Sequence, residues 1–443
     1  MVVILGMLAF SVDMGYLVTC RTEMQRSVDA GALAGASAIG LGAAEAEKAA
    51  RDIVAQNQVG RQTIADGSVQ VQLGYWDAQA RAFQVTNKSP SAIHVTASSD
   101  DHSAFFGRVL GQQKFHVEAE ATAKYQPRDI MVVLDFSASM NDDSELQQIG
   151  KLGRQQVEQN LLQIYNQLGA PTFGGLQWTP VSVASGSASA VKNQLGLAKV
   201  PYPYPSGSWD EYINYVQTDS AVSNAGYRNK YGFLTLVNYW LSTRPKFSET
   251  PDLWKTSEQP VTAVKDALGV FLAYLQQVKT DDRVGLVIYT YSDGTARLES
   301  GLTNDFQLVE STARARQAGH YDPYTNIGAG MQKARLELEK NGRPGALRML
   351  VLMTDGLANR PTNTSTAQKL VLAESQRAAD DGFPVVAISL GSGADTAIMQ
   401  HIADETGGVH FNVPGGKDVS AYQEDLKKVF RKIADDRPLQ LVK

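Results

Sequence analysis

Four short runs after residue 128 are apolar at nearly every position, and they constrain the fold more than any other feature of the sequence. They are Ile130 to Leu134, Val284 to Tyr289, Met349 to Met353 and Val385 to Ile388. A strand with one face in water alternates polar and apolar residues. A strand apolar throughout is covered on both faces, as in a parallel sheet flanked by helices. Helical stretches separate the runs at Val261 to Gln277, Phe306 to Gln317, Ile327 to Glu339 and Ala367 to Asp380. Two more, Thr396 to Glu405 and Ser420 to Asp435, lie either side of a last strand, Val409 to Val413. This alternation predicts right-handed βαβ crossovers and an α/β fold with a doubly wound, mostly parallel sheet. Such sheets bind ligands outside the carboxyl ends of their strands, so the residues just after each run are the ones to inspect.

The first run passes straight into Asp135-Phe-Ser137-Ala-Ser139. Alone, this triplet is an ordinary turn, because Ser and Asp favour turns for local hydrogen-bonding reasons. Two other loops fall at the same edge of the predicted sheet. Met353-Thr354-Asp355-Gly356 places an acid at the end of the third run, and Tyr324-Thr325-Asn326 precedes a helix. Together Asp135, Ser137, Ser139, Thr325 and Asp355 make three hydroxyls and two carboxylates, all oxygen. Hard oxygen ligands suit Mg2+, or Mn2+ or Ca2+, and a set short of six leaves positions for water and for a partner's carboxylate.

Other chemistries find little support. Lys and Arg total 41 against 46 Asp and Glu, a net charge of -5, with no concentrated basic stripe of the kind a nucleic-acid footprint needs. The single cysteine, Cys20, excludes an intrachain disulfide framework, a CxxC redox pair and a thiolate zinc site. Six histidines contain no HExxH. His320, five residues before Thr325, is the one base in reach of the oxygen set, and it sustains metal-assisted hydrolysis as an alternative.

The first 127 residues read differently. Residues 1–20 carry one charge, Asp13. A helix of that length would roughly cross a hydrocarbon core, at a cost of about 2.5–3.5 kcal/mol for the aspartate on insertion scales. We expect a single-pass membrane anchor over residues 1–20, with basic residues missing upstream of the apolar run; a signal peptide fits less well, for want of a basic start and a cleavage site. Residues 21–127 predict a helix followed by a small antiparallel sheet. The helix is crowded with small residues, and Gly31 and Gly35 fall on one face, for internal packing or helix association. The strands are Ser68 to Gly74, Ala92 to Thr96 and Phe115 to Ala123, with two helical turns expected over Ser103 to Leu110. This is the layout of an α+β, pilin-like module.

A third segment, 142–257, interrupts the second unit (128–437) just after the triplet. It holds Val200-Pro-Tyr-Pro-Tyr-Pro205, Trp209 to Tyr215 and Tyr231 to Trp240. Its aromatics either build a core of their own or present recognition anchors beside the oxygen site.

Residues 129–437 resemble a von Willebrand factor type A domain with a complete metal-ion-dependent adhesion site. The D-x-S-x-S motif falls on Asp135, Ser137 and Ser139, its threonine on Thr325 and its second aspartate on Asp355. The resemblance implies hydroxyls that coordinate a divalent ion directly, aspartates that act through water, and a protein partner that supplies an acidic residue. Val12-Asp-Met-Gly15, Met24 to Ala30 and Ala32 to Ala36 are similar to the start of TadG-like proteins of tight-adherence (Flp) pilus loci. That second resemblance implies a bacterial envelope protein, membrane-anchored with the von Willebrand domain outside the cytoplasm, that serves pilus assembly or adhesion without catalysis. An intracellular von Willebrand subunit of an AAA-type complex is the other alternative, and the apolar N-terminus speaks against it.

Overall fold

The computed structural model describes residues 2–77, 80–86, 90–111, 113–278, 281–290, 295–414 and 419–442. Met1, where the expected anchor begins, lies outside them. The chain divides into two compact units: Met1–Pro127 with Tyr274–Asp281 and Ala434–Lys443, and Arg128–Ala273 with Asp282–Ile433.

In the first unit α1 (Val2–Ser37) is followed by α2 (Ala43–Gln56) and strands β1 (Val69–Asp77), β2 (Ala82–Val85), β3 (Ala92–Ser103) and β4 (Lys114–Tyr125). Residues of β4 alternate as the sequence requires, with Val117, Ala119, Ala121 and Ala123 buried and Glu118 and Glu120 exposed. Both glycines of α1 serve close packing. A Cβ on Gly31 would stand 2.5 Å from Val54 Cγ2 of α2, and one on Gly35 would stand 2.6 Å from Ile93 Cδ1 of β3.

The expected anchor, 1–20, is not a separate element, because α1 runs unbroken to Ser37. Asp13 explains why. Its carboxylate accepts the N–H groups of Phe105 (2.7 Å), Phe106 (3.1 Å) and Gly107 (2.6 Å), so the one charge of the apolar run is docked on the sheet's own connection. Further along, Tyr16 packs edge-on against Phe105 and Phe115, and Cys20 and Met24 are buried. Among the described residues no helix is long and apolar enough to cross a membrane. The helix expected over Ser103 to Leu110 is also shorter than predicted. β3 runs to Ser103, and only Gly107–Leu110 turns, as a 3-10 helix.

The second unit opens with β5 (Arg128–Asp135), buried at all eight positions. Then come α3 (Arg154–Gln167), α4 (Trp209–Thr218), α5 (Phe233–Thr243), α6 (Val261–Val278), β6 (Arg283–Tyr289), β7 (Arg297–Thr303) and α7 (Ile327–Asn341). The series ends with β8 (Leu347–Thr354), α8 (Thr364–Asp380), β9 (Val385–Leu390), α9 (Thr396–Thr406), β10 (His410–Val413) and α10 (Val419–Asp435). The six strands order as β7-β6-β5-β8-β9-β10, with β7 antiparallel and the others parallel. After β5 the chain crosses to β6 on one side, and after β8 to β9 on the other. The winding therefore reverses between β5 and β8, where an open α/β sheet leaves a crevice at the carboxyl ends. The chain then re-enters the first sheet as β11 (Leu439–Val442), antiparallel to β4, giving the order β11-β4-β3-β1-β2.

The aromatic segment packs on itself. Trp209, Tyr212, Tyr215, Tyr231, Phe233, Tyr239 and Trp240 are all buried in one cluster with Leu161, Ile213 and Leu253. Their polar atoms are partnered inside it. Trp209 Nε1 donates to Val200 O (2.8 Å), Trp240 Nε1 to Tyr202 Oη (3.0 Å) and Tyr212 Oη to Gly232 O (3.0 Å). These rings build a core and are not surface anchors.

Candidate metal centre

The site begins as a local turn. Where β5 ends, Asp135 Oδ1 accepts the Ser137 N–H at 2.9 Å, the Asx-type bond that makes Asp-x-Ser bend. The other oxygen, Oδ2, accepts the hydroxyl of Thr354, the last residue of β8, at 2.9 Å. Asp135 thus ties together the two strands at the crevice. From there a row of oxygens runs outward: Ser137 Oγ lies 3.0 Å from Ser139 Oγ, which donates to Asp355 Oδ1 at 2.8 Å.

Thr325 reaches the same edge by a clip. Its N–H donates to Asn359 Oδ1 (3.0 Å) and its carbonyl accepts the Asn359 N–H (2.9 Å), which holds the loop before α7 against the loop after Asp355. A third tie, Ala138 N–H to Pro323 O at 3.4 Å, holds that loop to the serine turn. All five residues expected from the sequence are brought together. Asn359 is a residue that sequence reading missed, since an asparagine four positions after an acid carries no pattern of its own.

Gly356 tests whether an ion fits. A Cβ there would stand 3.6 Å from Thr325 Oγ1 and 4.0 Å from Ser139 Oγ, so the missing side chain keeps open a space bounded by two hydroxyls. The donor set is right for a hard cation. Among the described residues no three His, Cys, Asp or Glu side chains converge as a metal cluster, and the set here has only two carboxylates.

Electrostatics favour a cation as well. Burial, then the nearby Asp135, Asp142 and Asp143, push the Asp355 carboxyl well above the usual range. Burial pushes Asp135 up too. Asp142, two residues past the methionine that follows Ser139, is raised to about 7 by burial and by Asp143. These two acids, also unforeseen, line a cavity of about 330 Å³ with Ser139, Asp355, Lys151 and Tyr422.

His320 takes no part. Its ring stacks on Phe247 (4.7 Å between centroids), its Nδ1 accepts the Gln317 N–H at 3.5 Å, and burial lowers its pKa to about 4. It is a packed residue, held between the Phe247 ring and the Gln317 N–H.

The family model of the von Willebrand factor type A domain matches residues 254–425, which hold Thr325 and Asp355, and the sheet order fits that fold. Two further models match the first unit: "Putative Flp pilus-assembly TadE/G-like" over residues 1–38 and "Putative Tad-like Flp pilus-assembly" over residues 30–123. The chain has the architecture of the TadG-like Flp pilus-assembly proteins that carry a von Willebrand domain. Among curated proteins, Vitrin of Mus musculus is 34% identical over 77 residues, 17% of this chain and 11% of that protein's length. Among solved structures, the pilus adhesin SpaC from Lactobacillus rhamnosus GG is 12% identical, over 83% of this chain and 34% of that one, with a TM-score of 0.35. A von Willebrand factor type A protein from Catenulispora acidiphila is 11% identical, over 82% and 49%, with a TM-score of 0.32.

Proposed function

We propose that this protein binds a protein partner through a divalent cation, in pilus assembly or adhesion at the bacterial envelope. Ser137, Ser139 and Thr325 would hold the ion directly, and Asp135 and Asp355 would orient and neutralise around it; Mg2+ is the expected ion, with Mn2+ and Ca2+ served by the same oxygens. When bound, the ion supplies a positive centre with a free position for a partner's carboxylate. The observation that carries this reading is the row Ser137 Oγ, Ser139 Oγ, Asp355 Oδ1, with Thr325 Oγ1 facing it across the space beside Gly356. The bonds from Asp135 to Ser137 and Thr354 do the positioning, so the site is preformed and recognition costs little ordering.

The pilus-assembly modules of the first unit support the envelope setting. Attachment to the membrane belongs to this reading through the N-terminal part of α1, where Met7, Leu8, Phe10, Val12 and Val18 are exposed. The von Willebrand domain then works outside the cytoplasm. A pull-down from envelope extract tests metal and partner together. Capture that is lost with chelator, restored by Mg2+ and absent in Asp355→Ala supports the reading, and capture indifferent to chelator overturns it.

A further inference from the structure

One polar cluster of the first unit stands apart from the oxygen site and has chemistry of another kind. Cys20 of α1 and His102 of β3 are 0% and 1% exposed. A buried imidazole ordinarily finds a hydrogen-bond partner for its polar atoms. His102 has none at Nε2, and its Nδ1 faces Cys20 Sγ at 3.9 Å, too far for a strong hydrogen bond. The ring is stacked on Phe115 of β4, 5.8 Å between centroids, which fixes the direction in which that nitrogen points.

Gly60 shows that a third atom joins the pair. A Cβ there would stand 2.5 Å from Tyr16 Oη, 2.9 Å from Cys20 Sγ and 3.1 Å from His102 Nδ1, so an oxygen, a sulfur and a nitrogen surround one point that no side chain fills. The turn that carries Gly60, at a φ of +56°, is pinned over them, because its N–H donates to Glu23 Oε2 at 2.7 Å. Tyr16 Oη donates to the Gly60 carbonyl at 3.2 Å, which leaves the lone pairs of the phenol available. A reactive thiol is the other chemistry such a pair could serve. Burial, however, raises the Cys20 thiol and lowers the His102 imidazole, so both are neutral and no thiolate–imidazolium pair forms. A metal about 2.3 Å from sulfur and about 2.0 Å from nitrogen spans 3.9 Å at an angle of about 130°. That is wider than a zinc tetrahedron, which also needs four ligands where this cluster supplies three. A thiolate and an imidazole at low coordination number suit Cu(I).

We propose that Cys20, His102 and Tyr16 bind a soft monovalent metal ion of the Cu(I) class, with Sγ and Nδ1 as the two strong ligands and Oη as a weaker third. The thiol gives its proton to solvent as the metal–sulfur bond forms, and the bond to Nδ1 supplies the partner that a thiol at 3.9 Å does not. Cys20 and Tyr16 belong to α1 and His102 to β3, so the ion ties the helix to its sheet. The oxygen site, which takes hard cations, has no part in this.

The probe is Cu(I), titrated anaerobically into the full chain against the chelator bathocuproine disulfonate with Mg2+ in excess. One equivalent should resist the chelator. Cys20→Ser should lose it, His102→Gln should weaken it by about a hundredfold and Tyr16→Phe by about tenfold. The parent chain gives a second reading that does not depend on how the variants fold: copper K-edge absorption should show one sulfur and one or two nitrogen or oxygen neighbours. Three results would overturn the proposal: no competition with the chelator, an equivalent kept by Cys20→Ser, or a copper shell of sulfur alone, which would assign the metal to exposed methionines such as Met7 and Met14.

Discussion

In the five-stranded sheet, β4 buries every second residue from Val117 to Ala121 and leaves Glu118 and Glu120 in water, whereas β5 of the six-stranded sheet buries all eight. The difference decides where each unit can do anything. A sheet covered on both faces has only strand ends to offer, so the polar groups of the second unit collect at one edge: Asp135 at the end of β5, Asp355 after β8 and Thr325 before α7. A sheet with one open face can also use that face, which is where β4 presents Glu118 and Glu120.

The largest effect that would sharpen this contrast lies at the base of β5. Arg128 is fully buried, and Asp282 accepts from its Nη2 (2.9 Å) and its backbone N–H (2.8 Å). Arg128→Ala leaves a buried carboxylate without its cation and should destabilise the second unit by about 3–5 kcal/mol, read as a drop in its calorimetric transition. Next come Met131→Ala and Leu134→Ala, at positions of opposite parity in β5. Each should cost about 2–5 kcal/mol, because both faces are packed. A strand with one wet face would lose stability at only one of the two.

A pH effect ranks below these. Burial raises Asp142 and Glu258 to about 7. A carboxyl whose folded pKa lies above its unfolded value, near 4 by the usual scale, favours the fold fully at low pH and loses that contribution as pH rises through the folded pKa. Without divalent cation, the melting temperature of the second unit should therefore fall between about pH 5 and pH 7.5, and Glu258→Gln should flatten the slope. A melting temperature that rises over this window contradicts the assignment. The smallest effect belongs to the open face: Glu118→Ala and Glu120→Ala should each change stability by no more than about 0.5 kcal/mol, by denaturant titration.

The same contrast explains what the sequence made legible. Continuous apolar runs announce a parallel sheet, and acids that follow them fall at its carboxyl edge, so the shared position of Asp135, Ser137, Ser139, Thr325 and Asp355 was legible without coordinates. β7 was missed because Arg297-Leu-Glu-Ser-Gly-Leu-Thr303 is a half-buried margin strand with no apolar run. β11 was missed because four residues that join a sheet more than three hundred positions back carry no local signal. Asp13 was read as a charge in a bilayer because its partners, three backbone N–H groups, are contributed by a turn about ninety residues away and no residue type marks them. The aromatics of 142–257 left two readings open, since composition does not say whether rings point inward.

The central claim is that five oxygens at the ends of β5 and β8 and before α7 hold one divalent cation. Isothermal titration of Mg2+ into the full chain, beside Asp135→Ala and Ser139→Ala, tests it most directly. The account predicts one saturable site in the parent protein, loss of measurable binding in both variants, and an unchanged circular dichroism spectrum, because the ligands sit on loops. Parent-like affinity in either variant, or no binding by the parent, would contradict it.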